Sequence, residues 1–221
     1  MKIAVIADVH CQGPHDPSQR NFVSWLDEVD ADELWLLGDI LHYGWVFEDE
    51  VQPIFREVID ALRQVRSRGI RILFVPGNHD FAVAELLRRE LDAEVRSEHI
   101  RTVDGVRIAL AHGDELDRTL QYRLFRLFIR SRLFAHFIRR MGSKFGGALL
   151  SKMAGDVSDG EDVWTNTRAG LLHRLKHAEV VVMGHVHTPW HHASDEGTAI
   201  ILRPGAPLFL EGGKVLRGPL D

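Results

Sequence analysis

Residues 70–80 read IRILFVPGNHD, an apolar run that changes abruptly into a polar ending. The run up to Val75 is rich in branched and aromatic residues, which is typical of a short buried β-strand. The Pro and Gly that follow end regular structure and allow a tight loop. The stretch therefore predicts a buried strand whose end presents Asn78, His79 and Asp80.

The same change from apolar to polar occurs at the ends of four other strand-like runs. These ends read DVH, GD, HGD and GHVH in chain order. Ligands collect at the carboxyl ends of strands in open α/β sheets, so folding can bring all five ends to one rim. The candidate metal-binding side chains on this rim are Asp8, His10, Asp39, Asn78, His112, His185 and His187.

The spacing and chemistry of these residues favour a metal site. Residues two apart on an extended chain share a face, so His185 and His187 can point at one place. A nitrogen and oxygen ligand set without sulfur suits manganese, iron or zinc better than copper(I). Asp39 can bridge two ions, and two ions ~3.5–4 Å apart are an arrangement used for phosphoester hydrolysis. A single HxH or GD is a weak signal, but five ordered ends predict two divalent ions, with manganese favoured over iron or zinc.

The order of the remaining elements indicates an α/β fold. Early strands alternate with helices and late strands form hairpins, which predicts a mixed sheet system covered by helices. Asp16 and Pro17 suit the start of a helix, and residues 50–69 have helical amphipathic spacing with Gly69 as the stop. Asp104 and Gly105 suit a hairpin turn. Without repeats or linkers, we expect one domain over 1–221, with residues 116–153 as a helical insertion between two strands.

Composition excludes several classes of protein. The net charge is −5, hydrophobic residues make up 45% and charged residues 27%, as in an ordinary soluble globular protein. No apolar run approaches the ~18–20 residues of a membrane span. Cys11 is the only cysteine, so an intrachain disulfide and a cysteine zinc site are excluded. The apolar run at the N-terminus reaches Asp8, which is too early for the hydrophobic region of a secretory signal peptide. We therefore expect a cytoplasmic protein.

The segment RLFRLFIRSRLFAHFIRR at residues 123–140 differs from the rest of the acidic chain. Residues 117–153 hold nine Lys and Arg and one acidic residue, a net charge of +8 that leaves −13 for the remainder. Such segregation points to an anionic partner. On one continuous helix the segment would show two apolar stripes, although the RSR at 130–132 is expected to divide it. The first stripe holds Leu124, Leu127, Phe128, Phe134 and Ile138, and the second holds Phe125, Ile129, Leu133 and Phe137.

Two interpretations of this segment stay open. One stripe can pack on the core while arginine stems cover the other. Alternatively, a helix pair can meet lipid, with arginines on phosphates and peripheral contact at the inner face of the membrane. Nucleic acid is not expected, because the chain is acidic overall and phenylalanines alternate with the arginines. We also leave open whether His42, which follows Asp39 closely, lines the pocket.

The ordered series DxH, GD, GNHD, HGD and GHxH resembles the calcineurin-like metallophosphoesterases from Asp8 to the strands after His187. The resemblance implies a four-layer αββα sandwich with a binuclear metal centre. It implies one metal on Asp8, His10, Asp39 and His187, and a second on Asp39, Asn78, His112 and His185. His79 would donate a hydrogen bond or proton to the phosphoryl or leaving oxygen. Asp80 would hold the ring of His79 in its tautomer and orientation, and Asp114 would give similar support.

A closer resemblance covers LWLLGDILHYGWVFEDE, PGNHDF, LAHGDELDRTLQYRLFR, the basic insertion and GHVHTP. These stretches are similar to the UDP-2,3-diacylglucosamine pyrophosphohydrolases, which release UMP and 2,3-diacylglucosamine 1-phosphate in lipid A synthesis. In that family, helices inserted after HGD form a cap that shelters acyl chains. The resemblance thus implies substrate contacts from Arg123, Arg126, Arg130, Phe128 and Phe137.

The chain departs from that family at two places. The best-known members read GNRDF where this chain has His79, and they have a cysteine-containing stretch where it reads ELDRTLQ. A general phosphodiesterase or nucleotide-sugar pyrophosphatase with a soluble substrate is therefore the alternative function. A non-catalytic scaffold is a third alternative, and the complete ligand set argues against it.

Overall fold

The structure, a computed structural model, describes residues 1–47, 49–116, 119–153 and 161–217. In chain order the strands are β1 (Lys2–Ile6), β2 (Glu33–Leu36), β3 (Val46–Phe47), β4 (Glu50–Val51), β5 (Arg71–Phe74), β6 (Glu94–Val95), β7 (Glu98–Val103), β8 (Val106–Ala111), β9 (Val180–Met183), β10 (Trp190–Ser194), β11 (Gly197–Ile201), β12 (Leu208–Glu211) and β13 (Lys214–Arg217). The helices are α1 (Pro17–Glu28), α2 (Arg56–Ser67), α3 (Ala84–Leu91), α4 (Leu120–Ile129), α5 (Arg132–Met153) and α6 (Glu161–Arg174). Short 3₁₀ turns occupy Pro53–Phe55, Phe81–Val83 and Asp114–Leu116.

Two sheets form the centre of the molecule. The first has the order β13-β12-β1-β2-β5-β6, and the second has the order β10-β11-β9-β8-β7. Their facing sides bury an apolar layer that includes Val5, Trp35 and Val182. Helices α1 to α3 cover the outer face of the first sheet, and α6 covers that of the second. The predicted four-layer αββα sandwich with helices inserted between β8 and β9 is confirmed.

The sheet directions explain why the polar strand ends meet. Strands β1, β2 and β5 are parallel neighbours in the first sheet, and β8 and β9 are parallel neighbours in the second. Parallel strands end at the same edge of a sheet. The loops that carry the five motifs therefore leave the two sheets along one rim.

The local predictions have mixed outcomes. The carboxylate of Asp16 accepts hydrogen bonds from the first turn of α1, as predicted. Asp104 and Gly105 have φ of 48° and 87° in the β7–β8 turn, and Gly69 has φ of 87° after α2. The start of the helix predicted at residues 50–69 is wrong, because α2 begins only at Arg56. Pro53 disfavours helical backbone at the residue before it, and that residue lies between β4 and the 3₁₀ turn instead.

The basic helical segment divides where RSR predicted a break. Helix α4 ends at Ile129, and α5 begins two residues beyond Arg130. The Oγ atom of Ser131 accepts a hydrogen bond from the N–H of Phe134 at 3.1 Å and caps α5. A second break lies inside α5 at Gly142, with φ of 71° and ψ of 171°. Residues 117 and 118 of the predicted insertion lie outside the described residues, and its boundaries remain a prediction.

The two apolar stripes of one continuous helix do not form, because the break turns α5 relative to α4. Ile129 from the second stripe is buried together with Phe134 and Ile138 from the first. These side chains pack with Trp45 and Phe47, which belong to the segment after β2. Among the described residues, no helix has the length and apolar composition that a membrane crossing requires.

Candidate metal centre

The loops after five strands bring the predicted ligands into two clusters. Ligand atoms of Asp8, His10 and His187 lie within 4.8 Å of one another, and so do those of Asp39, His112 and His185. The Nε2 atoms of His10 and His187 are 3.1 Å apart. All six residues thus meet as the motifs predict, although their binding of metal stays a prediction.

The seventh predicted ligand lies beside the second cluster. The Oδ1 atom of Asn78 is 3.2 Å from the Nε2 atom of His112. Asn78 is buried, and it follows β5, so it reaches the cluster from the same edge as Asp39. The predicted set of seven side chains is therefore gathered at one place.

Asp39 lies between the two clusters. Its Oδ2 atom is 3.4 Å from the Nε2 atom of His112 and 3.9 Å from the Nε2 atom of His10. Its Oδ1 atom accepts a hydrogen bond from the backbone N–H of His79 at 2.9 Å, which fixes the carboxylate plane. A carboxylate in this position can bridge two cations.

The backbone at the strand ends is held in an unusual conformation. Asp8, Asp39 and His185 have φ of 53°, 54° and 70°, in the left-handed region. This conformation costs roughly 1–2 kcal/mol for each non-glycine residue. Hydrogen bonds between the loops oppose that cost, because the N–H of Asp8 donates to the carbonyl of Gly38 at 3.0 Å and the N–H of His10 to that of Asp39 at 2.9 Å. Strain of this kind is concentrated at functional sites.

Two motif glycines make room for the carboxylates. A Cβ atom on Gly77 would lie 2.0 Å from the Oδ1 atom of Asp39, and one on Gly184 would lie 2.4 Å from the Oδ2 atom of Asp8. Both distances are too short for any side chain. The glycines of GNHD and GHVH are thus required because the backbone at each passes close to one of these carboxylates.

Burial and charge together set the protonation of the site. Burial alone would raise the pKa of Asp39, but attraction to His112 and His79 holds it well below its usual value. Burial lowers the pKa of His10 to about 4 and that of His185 to about 3. Burial also raises the pKa of Asp8 to about 8. Because metal ligation needs neutral imidazoles and ionised carboxylates, a bound cation would stabilise the forms of these groups that coordinate it.

The donor groups fit divalent metal ions. The Nδ1–H of His112 donates to the carbonyl oxygen of Leu37 at 2.8 Å, which leaves its Nε2 atom facing the cluster. The Nε2 atom of His185 is buried and makes no hydrogen bond to any part of the chain that the structure describes. A buried polar atom without a partner costs free energy that a metal bond would remove. The geometry and the chemistry of the donors therefore agree.

His79 and Asp80 occupy different positions beside the clusters. The Nε2 atom of His79 is 3.8 Å from the Oδ2 atom of Asp39, and its ring packs against that of Tyr43 at 4.3 Å between centroids. The carboxylate of Asp80 accepts hydrogen bonds from the N–H of Ile40 at 2.8 Å and of Gly77 at 2.9 Å. It ties the loops after β2 and β5 together, which the sequence did not predict. The predicted roles of both residues stay predictions.

The structure places His42 next to the first cluster, and whether it contacts substrate stays a prediction. Side-chain nitrogen atoms of His10, His42 and His79 lie within 4.8 Å of one another, and the Nδ1 atoms of His10 and His42 are 3.4 Å apart. His42 is brought beside His10 because its N–H donates to the carbonyl of Cys11 at 2.9 Å, which joins the loops after β1 and β2. Pairing between two loops leaves no pattern in the sequence, so only the position of His42 after Asp39 hinted at it.

The predicted substrate-binding arginines have separate environments. The Nε atom of Arg126 is 2.9 Å and an Nη2 atom of Arg130 is 3.5 Å from the Oδ2 atom of buried Asp114. The guanidinium of Arg130 also lies 4.9 Å over the ring of Phe81. Arg123 is exposed. Asp114 thus anchors α4 through two arginines, in addition to the support that the family resemblance implies.

The outer side of α4 and α5 carries an exposed apolar surface, which we call the cap surface. Eleven large hydrophobic side chains of the described residues are exposed, and seven of them belong to these helices. The cap surface consists of Leu120, Leu124, Leu127, Phe128, Leu133, Phe137 and Phe145. The predicted substrate-binding residues Phe128 and Phe137 are 54% and 52% exposed. Large exposed apolar patches mark interaction sites in soluble proteins.

Comparison with known proteins gives the class of this chain. The model of the calcineurin-like phosphoesterase family matches residues 1–189, and the chain belongs to that family. It is a phosphoester hydrolase, and the family implies divalent metal ions at the site described above.

More specific similarity comes from individual relatives. The UDP-2,3-diacylglucosamine hydrolase of Edwardsiella ictaluri is 31% identical over 236 residues, covering 98% of this chain and 88% of the relative. The enzyme of the same name from Porphyromonas gingivalis is 28% identical over 218 residues, covering 84% and 83%. The solved structure of an archaeal phosphodiesterase is 14% identical with a TM-score of 0.48, covering 96% of this chain and 93% of its own.

Proposed function

We propose that this enzyme hydrolyses the pyrophosphate of UDP-2,3-diacylglucosamine, giving UMP and 2,3-diacylglucosamine 1-phosphate. The observation that carries the proposal is the cap surface, which adjoins a phosphoesterase centre. Its helices pack on the segment after β2, which also supplies Asp39 and His42. A soluble substrate gives no reason for such a surface, whereas two acyl chains do. The relatives named above act on a substrate of this kind.

The metal centre would hold two divalent ions, with manganese as the proposed native metal. One ion would bind Asp8, His10, Asp39 and His187, and the other would bind Asp39, Asn78, His112 and His185. The chemistry that the bound ions supply is activation of water and stabilisation of charge on the phosphoryl oxygens. Asp39 would keep the two ligand sets at a fixed separation, because its Oδ1 atom is held by the backbone of His79.

His79 is the residue we assign to the leaving group. Its ring nitrogen lies 3.8 Å from the bridging carboxylate, so it faces the same space as the reacting phosphoryl group. A hydrogen bond or proton from His79 to the leaving oxygen would lower the cost of charge development there. Asp80 would act through position, since it joins the loops that carry His79 and Asp39.

The cap would select the acylated sugar. Phe128 and Phe137 would contact acyl chains, and Arg123, Arg126 and Arg130 would face the second phosphate. A guanidinium has five N–H donors, so pairing of Arg126 and Arg130 with Asp114 leaves donors for a phosphate. We further propose that the cap surface, flanked by exposed arginines, meets the anionic face of the inner membrane, where the substrate would be taken up.

A general phosphodiesterase or nucleotide-sugar pyrophosphatase with a soluble substrate is the second candidate. Two observations favour it. The ion pairs with Asp114 give Arg126 and Arg130 a structural role. His79 stands where the best-known UDP-2,3-diacylglucosamine pyrophosphohydrolases have arginine, which makes the site more like that of a general phosphodiesterase.

Assays of lipid and soluble substrates distinguish the two candidate functions. Manganese-loaded protein would be assayed with UDP-2,3-diacylglucosamine, UDP-N-acetylglucosamine, cyclic nucleotides and a chromogenic aryl diester. We expect UMP release from the acylated substrate and little turnover of the others. Equal turnover of the soluble substrates would contradict the lipid assignment and support the second candidate.

A further inference from the structure

A cleft opens beside Asp8 and His10, away from the cap. Its volume is about 530 Å³, and one wall comes from α1 while the other comes from the loop between β11 and β12. The residues that line it beyond the metal cluster include Ser18, Asn21, Phe22, Trp25, Pro204 and Pro207. Pockets of roughly 300–1,000 Å³ are typical of small-molecule sites.

The strand order places the cleft and the cap on opposite sides of the metal centre. The order in the first sheet runs β12, β1, β2 and β5, and the predicted ligands follow the last three. The cap reaches the β5 side, where Arg130 lies 3.5 Å from the carbonyl oxygen of Gly77 and against the ring of Phe81. The cleft lies on the β1 and β12 side. A substrate with its reacting phosphorus at the centre can therefore extend one arm into each region.

Both walls of the cleft are fixed in place without a ligand. The N–H of Gly205 donates to the carbonyl of Ala7 at 2.9 Å, which pins the proline-containing loop beside the metal ligand Asp8. On the other wall, buried Gln19 accepts from the N–H of Gly13 at 2.9 Å and donates to the carbonyl of Ile54 at 3.1 Å. A preorganised site loses little free energy to ordering on binding.

The lining suits a flat, neutral ring with polar edges. Trp25 is half-buried and stacks on Phe22, with ring centroids 6.0 Å apart and planes inclined by 22°. Pro204 and Pro207, from the loop between β11 and β12, line the same cleft. The amide of Asn21 offers both a donor and an acceptor, which an imide or amide edge of a base can match. Among the described residues that line the cleft, none except Asp8 and His10 is ionisable, so the cleft beyond them favours an uncharged group.

We propose that the cleft binds the nucleoside end of the substrate, with the base between Trp25 and the two prolines and its polar edge on Asn21. This assignment rests on the proposed function, because a nucleoside diphosphate derivative presents a base on one side of the pyrophosphate and its lipid on the other. The reaction would then release a nucleoside monophosphate from the cleft and a lipid phosphate from the cap side.

The test measures binding of UMP to manganese-loaded protein by calorimetry, with inorganic phosphate and N-acetylglucosamine 1-phosphate as comparison probes. Trp25→Ala and Asn21→Ala remove the proposed contacts, and Asn21 is exposed, so its variant does not depend on core packing. Ser24→Ala, at an exposed position on the same helix outside the cleft, is the matched control. We expect UMP to bind at least about tenfold tighter than phosphate. Trp25→Ala should lose about tenfold in UMP affinity, as for one base–aromatic stack, and Asn21→Ala should lose about threefold, as for one neutral hydrogen bond.

Each other outcome has a defined meaning. Wild-type UMP affinity in both cleft variants, or equal affinity for UMP and inorganic phosphate, would overturn the proposal. Tighter binding of the sugar phosphate, lost in Trp25→Ala, would assign the cleft to the sugar and also overturn it. Failure of the lipid substrate assay with UMP binding still dependent on Trp25 would refute the proposed substrate while supporting the cleft. Hydrolysis of the lipid substrate with an unchanged KM in the cleft variants would refute the cleft alone.

Discussion

The metal centre and the cap differ in which kind of side chain is buried and which is exposed. At the centre, ionisable side chains are buried. Glycines leave room for the carboxylates, and several of the residues that carry these side chains have positive φ. On the cap, seven large apolar side chains are exposed, while Ile129, Phe134 and Ile138 are packed against the rest of the molecule. Buried charge is costly without ligands, and exposed apolar surface is unfavourable without a partner. The family implies a cation at the first region, and the proposed function supplies acyl chains for the second.

From this difference we expect the metal centre to carry out hydrolysis and the cap surface to determine which substrate is preferred. A change at the centre should affect every phosphoester in the same way, because all substrates need the same metal ions and the same leaving-group contact. A change on the cap surface should affect substrates according to their acyl chains. The following predictions test that division.

Asp39→Asn should have the largest effect. The substitution keeps the shape of the side chain but removes the charge between the two clusters, so activity on every substrate should fall well beyond the roughly 10–100-fold typical of residues outside the ligand shell. Metal content by mass spectrometry should fall in parallel. Asp195→Asn, on an exposed turn, should retain activity and metal. If Asp39→Asn retained both metal ions, that result would contradict the assignment of Asp39 as the bridging ligand.

His79→Ala should lower turnover by roughly 10²–10⁴, the range of a general acid. Metal content should stay at the wild-type level, because His79 is outside both predicted ligand sets. The loss should be similar for the acylated substrate and the aryl diester, because charge develops on the leaving oxygen of both and His79 would stabilise it. A loss of metal in this variant would show that His79 is a ligand instead.

Phe128→Asp and Phe137→Asp should weaken the activity on the acylated substrate much more than that on the aryl diester. Burying a phenylalanine is worth about 1.5–3 kcal/mol, so KM for UDP-2,3-diacylglucosamine should rise about 10- to 100-fold. The aryl diester serves as the internal reference, and its KM should change much less. Ile100→Asp, at a strand position that is 53% exposed, is a matched control outside the cap. Equal losses on both substrates would mean that the two phenylalanines support the fold.

Metal removal should abolish activity but should change the stability of the fold only modestly. A metal present at 100 times its dissociation constant stabilises the folded state by about 2.7 kcal/mol, which corresponds to about 5–11 °C in Tm for a domain of this size. Chelation should therefore lower Tm by that amount in a thermal melt. The Asp39→Asn protein should not respond. A shift of equal size in that variant would place the stabilising metal elsewhere.

The features predicted correctly are those that short stretches of sequence decide. Asp8, His10 and His185 follow apolar runs directly, so their place at strand ends was visible, and parallel order then brought them together. The N-cap at Asp16 and the turn at Asp104 are likewise decided within a few residues.

The features that could not be predicted from the sequence depend on contacts between segments that are far apart in the chain. His42 reaches the centre through pairing of two loops, and Asp80 joins the loops after β2 and β5. The pairing of Arg126 with Asp114 needs α4 to fold back on the loop after β8. The buried side of the basic segment was left open because the break at Ser131 re-orients every later side chain, which a single helical wheel cannot describe.

Anomalous X-ray scattering from a manganese-soaked crystal tests the central claim most directly. We predict two peaks ~3.5–4 Å apart, one among Asp8, His10 and His187 and one among Asn78, His112 and His185, with Asp39 in contact with both. A single peak, or a peak among His10, His42 and His79 in place of either, would contradict the two-metal assignment.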